Sequence, residues 1–123
     1  MTCRVVVLLS GRGSNFRAIA EAQLPIEIVA VISNRPQAAG LAYAREHGMT
    51  AVALDHTEHP DRAAFDALLA DEIQRHQPDL VVLAGYMRIL SPAFIARFEG
   101  RLLNIHPSLL PMFPGLKTHE RAL

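Results

Sequence analysis

Short apolar runs alternate along the chain with stretches whose apolar residues recur at helical spacing. Residues 4–9 (RVVVLL) read as a buried strand: short, β-branched and stopped by a glycine turn. Residues 15–22 predict a helix with Ser14 or Asn15 as its cap. Ile26–Ser33 (IEIVAVIS) predicts a second strand, and 37–47 a helix stopped by Gly48. A short third strand is expected over 50–54. Phe65, Leu68, Leu69 and Ile73 then fall on one face of a long helix over 61–77. Residues 79–84 (DLVVLA) predict a fourth strand. Ser91-Pro92 reads as a cap followed by proline at the first helical position, opening a helix to about Phe98. Residues 101–105 predict a fifth strand.

Near-continuous apolar strands separated by helices imply a parallel sheet covered on both faces. The expected fold class is therefore α/β, a doubly wound Rossmann-like sheet. In the common order 3-2-1-4-5 the chain reverses between strands 1 and 4, and ligands bind beyond the carboxyl ends of the strands there. Three unusual loops converge on that rim: SGRGSN (10–15) after strand 1, GYMRILSP (85–92) after strand 4, and NIHPSLLP (104–111) at strand 5. Residues 1–123 read as one domain, without repeat, linker or low-complexity segment.

SGRGSN allows two readings. Glycines permit close backbone approach, and a helix N-terminus offers free N–H groups to an anion. The loop then cradles a monophosphate with the backbone N–H groups of Gly13, Ser14 and Asn15. Alternatively it is a tight turn that needs glycine for geometry. The dinucleotide pattern G-x-G-x-x-G is incomplete, because Phe16 holds the third glycine's place, and strand 2 ends in Ser33-Asn34 with no acid for a ribose. In GYMRILSP, Met87, Ile89 and Leu90 either line a flat pocket for a ring system or belong to the core. In NIHPSLLP, strand alternation puts Asn104 and His106 on one side and Ile105 on the other. An amide beside an imidazole suits oxyanion stabilisation and proton transfer. The competing reading is a structural histidine at a strand end.

Composition narrows the partners. Lys plus Arg and Asp plus Glu number 12 each, for zero formal net charge, so no broad electrostatic grip on nucleic acid or membrane is expected. All the basic residues but Lys117 are arginines, suited to planar contacts with carboxylate or phosphate. The single cysteine, Cys3, allows no internal disulfide and reads as a strand-edge residue. With no signal peptide and no run approaching the roughly 20 apolar residues of a membrane span, a cytoplasmic location is expected. His56 and His59 suggest a metal, but no cysteine or carboxylate cluster completes a site, so none is expected.

Taken together, LLSGRGSNFRAI, VISNRPQAAGLAYAREHG, PDLVVLAGYMRILSPAF and GRLLNIHPSLLPMFPGLKTH resemble the phosphoribosylglycinamide formyltransferase family, folate-dependent enzymes of purine synthesis. NIHPSLLP alone is shared by the wider group of folate formyltransferases and hydrolases. GRGSN and PGLKTH narrow the resemblance to the glycinamide enzymes. The resemblance implies that Gly13, Ser14 and Asn15 hold the substrate phosphate. It assigns Arg62, Met87, Arg88, Ile89, Leu90 and Asn104 to the co-substrate 10-formyltetrahydrofolate, and makes His106 the general acid. Small-molecule substrates, a monomer or homodimer, and neither nucleic acid nor membrane are the implied partners. Family members continue past the equivalent of Leu123, where an aspartate supports the histidine. The chain is thus expected to be the N-terminal portion of such a domain, truncated after the fifth strand and weakly active alone. The alternatives are a 10-formyltetrahydrofolate hydrolase and a non-catalytic phosphoribosyl-binding fragment. A methionyl-tRNA formyltransferase type would need a tRNA-binding domain that these residues lack.

Overall fold

The computed structural model describes residues 3–22, 25–58, 61–87 and 90–105. Strands β1 (Cys3–Leu9), β2 (Ile26–Ser33), β3 (Ala51–Ala53), β4 (Leu80–Ala84) and β5 (Leu102–Ile105) form one parallel sheet in the order β3-β2-β1-β4-β5. The expected fold class and strand order are both observed. Helices α1 (Ser14–Glu21), α2 (Ala39–Glu46), α3 (Arg62–Arg75) and α4 (Pro92–Arg97) connect the strands, with a 3-10 turn at His56–Glu58.

Strand periodicity sorts the core into two layers. Val5, Val7 and Leu9 of β1 pack with Val31, Val82 and Ile105 against Phe16 of α1 and Leu41 and Ala44 of α2. Val6 and Leu8 point the other way, with Ile32, Val81 and Leu102, against Phe65, Leu69 and Ile73 of α3 and Phe94 and Phe98 of α4. Hence α1 and α2 cover one face and α3 and α4 the other. The register shifts once: Val5 pairs with Ile28 but Val6 with Ala30, leaving Val29 as an extra residue in β2. Val29 and Ala30 consequently face the same layer, as a bulge requires.

Helix boundaries follow local chemistry. Asp61 caps α3 by accepting from Ala63 N–H at 3.0 Å, and Ser91 caps α4 by accepting from Phe94 N–H at 3.2 Å. Gly48, at φ 74°, ends α2: its N–H donates to Arg45 O and Met49 N–H to Ala44 O, the paired bonds of a Schellman motif. Past α3, the Arg4 guanidinium donates to His76 O at 2.7 Å and Gln77 O at 3.1 Å, satisfying carbonyls at that helix end.

One expectation changes. Neither Ser14 nor Asn15 caps α1. Gly13 occupies the cap position at φ 75° and ψ 31°, and no side chain accepts from the first turn. A left-handed residue turns the chain sharply into the helix, which glycine permits without steric cost. The α2 helix likewise starts two residues later than expected, because Ala38 N–H closes a turn onto Arg35 O first. It too has no side-chain cap.

Candidate functional site

At the carboxyl ends of β1 and β4, where the chain reverses across the sheet, a cavity of about 320 Å³ opens. Residues 10–15 form one wall, Ala84, Gly85 and Met87 another, and Arg35 closes the side beyond β2. The position is the one that doubly wound sheets use for ligands.

The first wall is built by close packing. A side chain at Gly13 would bring Cβ to 3.0 Å from Gly40 Cα and 3.2 Å from Leu9 Cδ2. One at Gly40 would meet Leu9 Cδ2 at 2.6 Å. The two glycines let the start of α1 sit against the start of α2, and Gly40 N–H donates to Gly11 O at 3.2 Å. Arg17 N–H, donating to Gly13 O at 2.8 Å, makes the first intrahelical bond of α1. The N–H groups of the preceding turn have no intrahelical acceptor. Both helices on this face lack side-chain caps, whereas both on the opposite face have one. Uncapped amides leave donors, and the positive end of the helix dipole, for an anion.

Charge agrees with this. Arg12 and Arg35 line the cavity, and among the described residues no acidic side chain does. Among the described residues neither guanidinium takes part in an ion pair. Arg35 is instead fixed through its backbone, its N–H donating to Ser33 Oγ at 3.0 Å.

The predicted residues separate into groups. Gly13, Ser14 and Asn15 all line the cavity. Asn15 is buried, and its side-chain amide points toward Ile105 O at 3.5 Å, a long contact that relates α1 to the end of β5. Met87 also lines the cavity and is 76% exposed. Leu90 is partly buried against the core layer that contains Phe65 and Phe94. Arg62 is the first residue of α3, exposed, and is not among the cavity's lining residues. Asn104 is half-buried on β5, opposite Leu83 of β4. Leu102 faces the α3–α4 layer while Leu103 and Ile105 face the other, so alternation directs Asn104 toward the α3–α4 side. Arg88, Ile89 and His106 lie outside the described residues, as does His59.

Sequence reasoning passed over several residues that shape the site. Ser10, 1% exposed, donates its hydroxyl to Asn34 Oδ1 at 2.6 Å and accepts from Met87 N–H at 2.8 Å. Its own N–H donates to Gly85 O at 3.2 Å. Asp66, also 1% exposed, accepts from Ser91 N–H at 2.7 Å and so holds the far end of the β4–α4 loop. Arg12 and Arg35 had one usable signal, their adjacency to strand carboxyl ends. Ser10 and Asp66 had none, because polar residues at a strand end or on a helix ordinarily face water.

Comparison with known proteins adds independent findings. A family model described as formyl transferase matches residues 3–123. Phosphoribosylglycinamide formyltransferase of Escherichia coli is 50% identical over 123 residues, covering 97% of this chain and 58% of the relative. The trifunctional purine biosynthetic protein adenosine-3 of Drosophila melanogaster is 41% identical over 126 residues, covering 98% of this chain and 9% of that protein. The solved phosphoribosylglycinamide formyltransferase of Coxiella burnetii superposes with a TM-score of 0.85 at 47% identity, over 99% of this chain and 59% of that one. The chain therefore spans somewhat over half the length of these two phosphoribosylglycinamide formyltransferases.

Proposed function

The chain belongs to the formyl transferase family, and on that premise we propose that the protein transfers the formyl group of 10-formyltetrahydrofolate to the amine of phosphoribosylglycinamide. The observation that carries this reading is the cavity itself. It combines an uncapped helix start, two guanidiniums outside any ion pair among the described residues, and a wall from the β4–α4 loop. The first two suit a phosphate monoester, and the last suits the neighbouring folate. Gly13, Ser14 and Asn15 hold the phosphate in this proposal. Arg62, Met87, Arg88, Ile89, Leu90 and Asn104 contact the folate.

The chemistry is acyl transfer. The glycinamide amine attacks the formyl carbon, and its carbonyl oxygen becomes the oxyanion of a tetrahedral intermediate. Asn104 and protonated His106 stabilise that charge. The bond to the folate nitrogen then breaks as that nitrogen takes a proton from His106, and the proton released by the attacking amine restores His106. Histidine suits the task because its reference pKa, about 6.5, lies near working pH. The resemblance also places a supporting aspartate beyond Leu123. Residues 1–123 alone are accordingly expected to transfer little, compared with a chain of the relatives' length.

Asn104→Ala in the full-length protein tests the assignment. Loss of one oxyanion donor lowers kcat by about 100- to 1000-fold. A variant retaining near wild-type turnover would remove Asn104 from the mechanism. Measuring folate turnover with and without phosphoribosylglycinamide separates transfer from hydrolysis: equal turnover without the acceptor would overturn the transferase reading.

A further inference from the structure

The β4–α4 loop reaches the cavity through Met87, yet Met87 is among the most exposed large apolar residues described, at 76%. Little packing holds it. Its position is fixed instead through its backbone N–H, which donates to Ser10 Oγ at 2.8 Å. A serine hydroxyl has one proton and two lone pairs. Ser10 directs that proton to Asn34 Oδ1 at 2.6 Å, which leaves a lone pair facing Met87. The Asn34 amide must present its oxygen here. Presenting its nitrogen would give the hydroxyl two donors and leave its own proton without an acceptor. Ser10 and Asn34 are 1% and 3% exposed, so the bond between them is shielded from water. Gly85 completes the arrangement: at φ 77° it turns the chain so that its carbonyl accepts from Ser10 N–H while Met87 N–H returns to Ser10 Oγ.

We propose that Ser10 and Asn34 are positioning residues that set the loop carrying Met87, and with it the folate side of the cavity. The inference rests on the formyl transfer reading for the identity of the ligand, but not for the latch itself. Ser10 opens the loop proposed for the phosphate, yet among the described residues its side chain bonds only Asn34 and Met87. The phosphate loop is held separately, through Gly40 N–H to Gly11 O and the close contact of Gly13 with Gly40. The two substrates should therefore respond differently when the hydroxyl is removed.

Ser10→Ala and Asn34→Ala, each in the full-length protein, provide the test. Two readouts are taken: hydrogen exchange at the Met87 amide, and KM for each substrate. In Ser10→Ala, Met87 exchange is expected to speed up at least ten-fold, and KM for 10-formyltetrahydrofolate to rise by about five- to ten-fold, the loss of one hydrogen bond. KM for phosphoribosylglycinamide should stay within about two-fold. Asn34→Ala keeps the hydroxyl but frees its proton, so the same changes are expected at smaller size. It also stands in should Ser10→Ala fail to fold. Unchanged Met87 exchange in a folded variant would overturn the latch, whatever the enzyme's activity. Equal rises in both KM values would overturn the positioning role in favour of general loosening. Faster Met87 exchange in a protein whose wild type transfers no formyl group would support the latch while refuting the formyl transfer reading.

Discussion

Replacing Gly13 by alanine probes the wall of the cavity at its tightest point. Gly13 has φ 75°, and an added Cβ would lie 3.0 Å from Gly40 Cα and 3.2 Å from Leu9 Cδ2. A left-handed backbone costs an alanine roughly 1.5 kcal/mol. The nearest atom is backbone, which cannot swing aside, and Leu9 is completely buried. Crowding of that kind adds about 1.5 kcal/mol. Alanine recovers about 0.5 kcal/mol by restricting the unfolded chain. The expected loss is therefore about 2.5 kcal/mol, or roughly 1–2 M in the urea midpoint at an unchanged slope. Gly11→Ala is the internal control. Gly11 has no positive φ, and nothing lies within 4 Å of its added Cβ. That variant should match the wild type or exceed it by about 0.5 kcal/mol. Urea unfolding followed by circular dichroism reads both. If the two variants agree within about 0.5 kcal/mol, the explanation of Gly13 by backbone conformation and close approach is wrong.

Gly40→Ala should lower stability by about 1–2 kcal/mol in thermal unfolding although alanine is the better helix former, since its Cβ would meet Leu9 Cδ2 at 2.6 Å; a more stable variant would show that Leu9 repacks freely. Asp66→Ala removes the acceptor of Ser91 N–H and should cost about 2 kcal/mol, with faster exchange at the Ser91 amide. Asp66→Asn, which keeps an acceptor oxygen, should cost less, and equal losses would refute the role of that bond. Tyr43 donates to Glu21 Oε2 at 3.0 Å, and desolvation first, then the hydrogen bond and charge of Glu21, push its pKa above the ordinary 10.0. A raised phenol pKa stabilises the fold fully below about pH 10 and progressively less as pH rises through the higher folded value. Glu21→Gln should move Tyr43 ionisation back down in an absorbance titration, and an unmoved curve would exclude Glu21 as a cause.

Much of the fold was legible because burial on both faces leaves a simple mark. Val5 to Leu9, Ile26 to Ser33 and Leu80 to Ala84 are runs that no amphipathic helix would carry, and their alternation with helices dictates a parallel sheet. The close-packed turn after β1 was visible because glycines mark close approach. Less legible was which loop residue turns inward. Met87 and Leu90 are both apolar, and only the packed structure separates one at the cavity from one against the core. The cap of α1 was misread because Ser14 and Asn15 are both good cap residues, whereas a left-handed Gly13 takes the position. Ser10 was missed because its partners lie 24 and 77 residues away, and such pairings leave no local pattern.

The central place of β1 has a consequence for how the molecule is assembled. Its pairing with β2 and the pairing of β2 with β3 involve nearby segments, but the seam with β4 joins Val5 to Leu80. Until β4 emerges during synthesis, β1 presents an open, strongly apolar edge, the kind of surface on which nascent chains associate wrongly. The cavity lies across that same seam, with Ser10 on one side and Gly85 on the other. A molecule whose seam is open has no cavity, so a ligand held there binds the closed form alone and draws the population toward it by mass action. Any ligand of this cavity should thus act also as a chaperone, protecting from aggregation the seam that joins Val5 to Leu80.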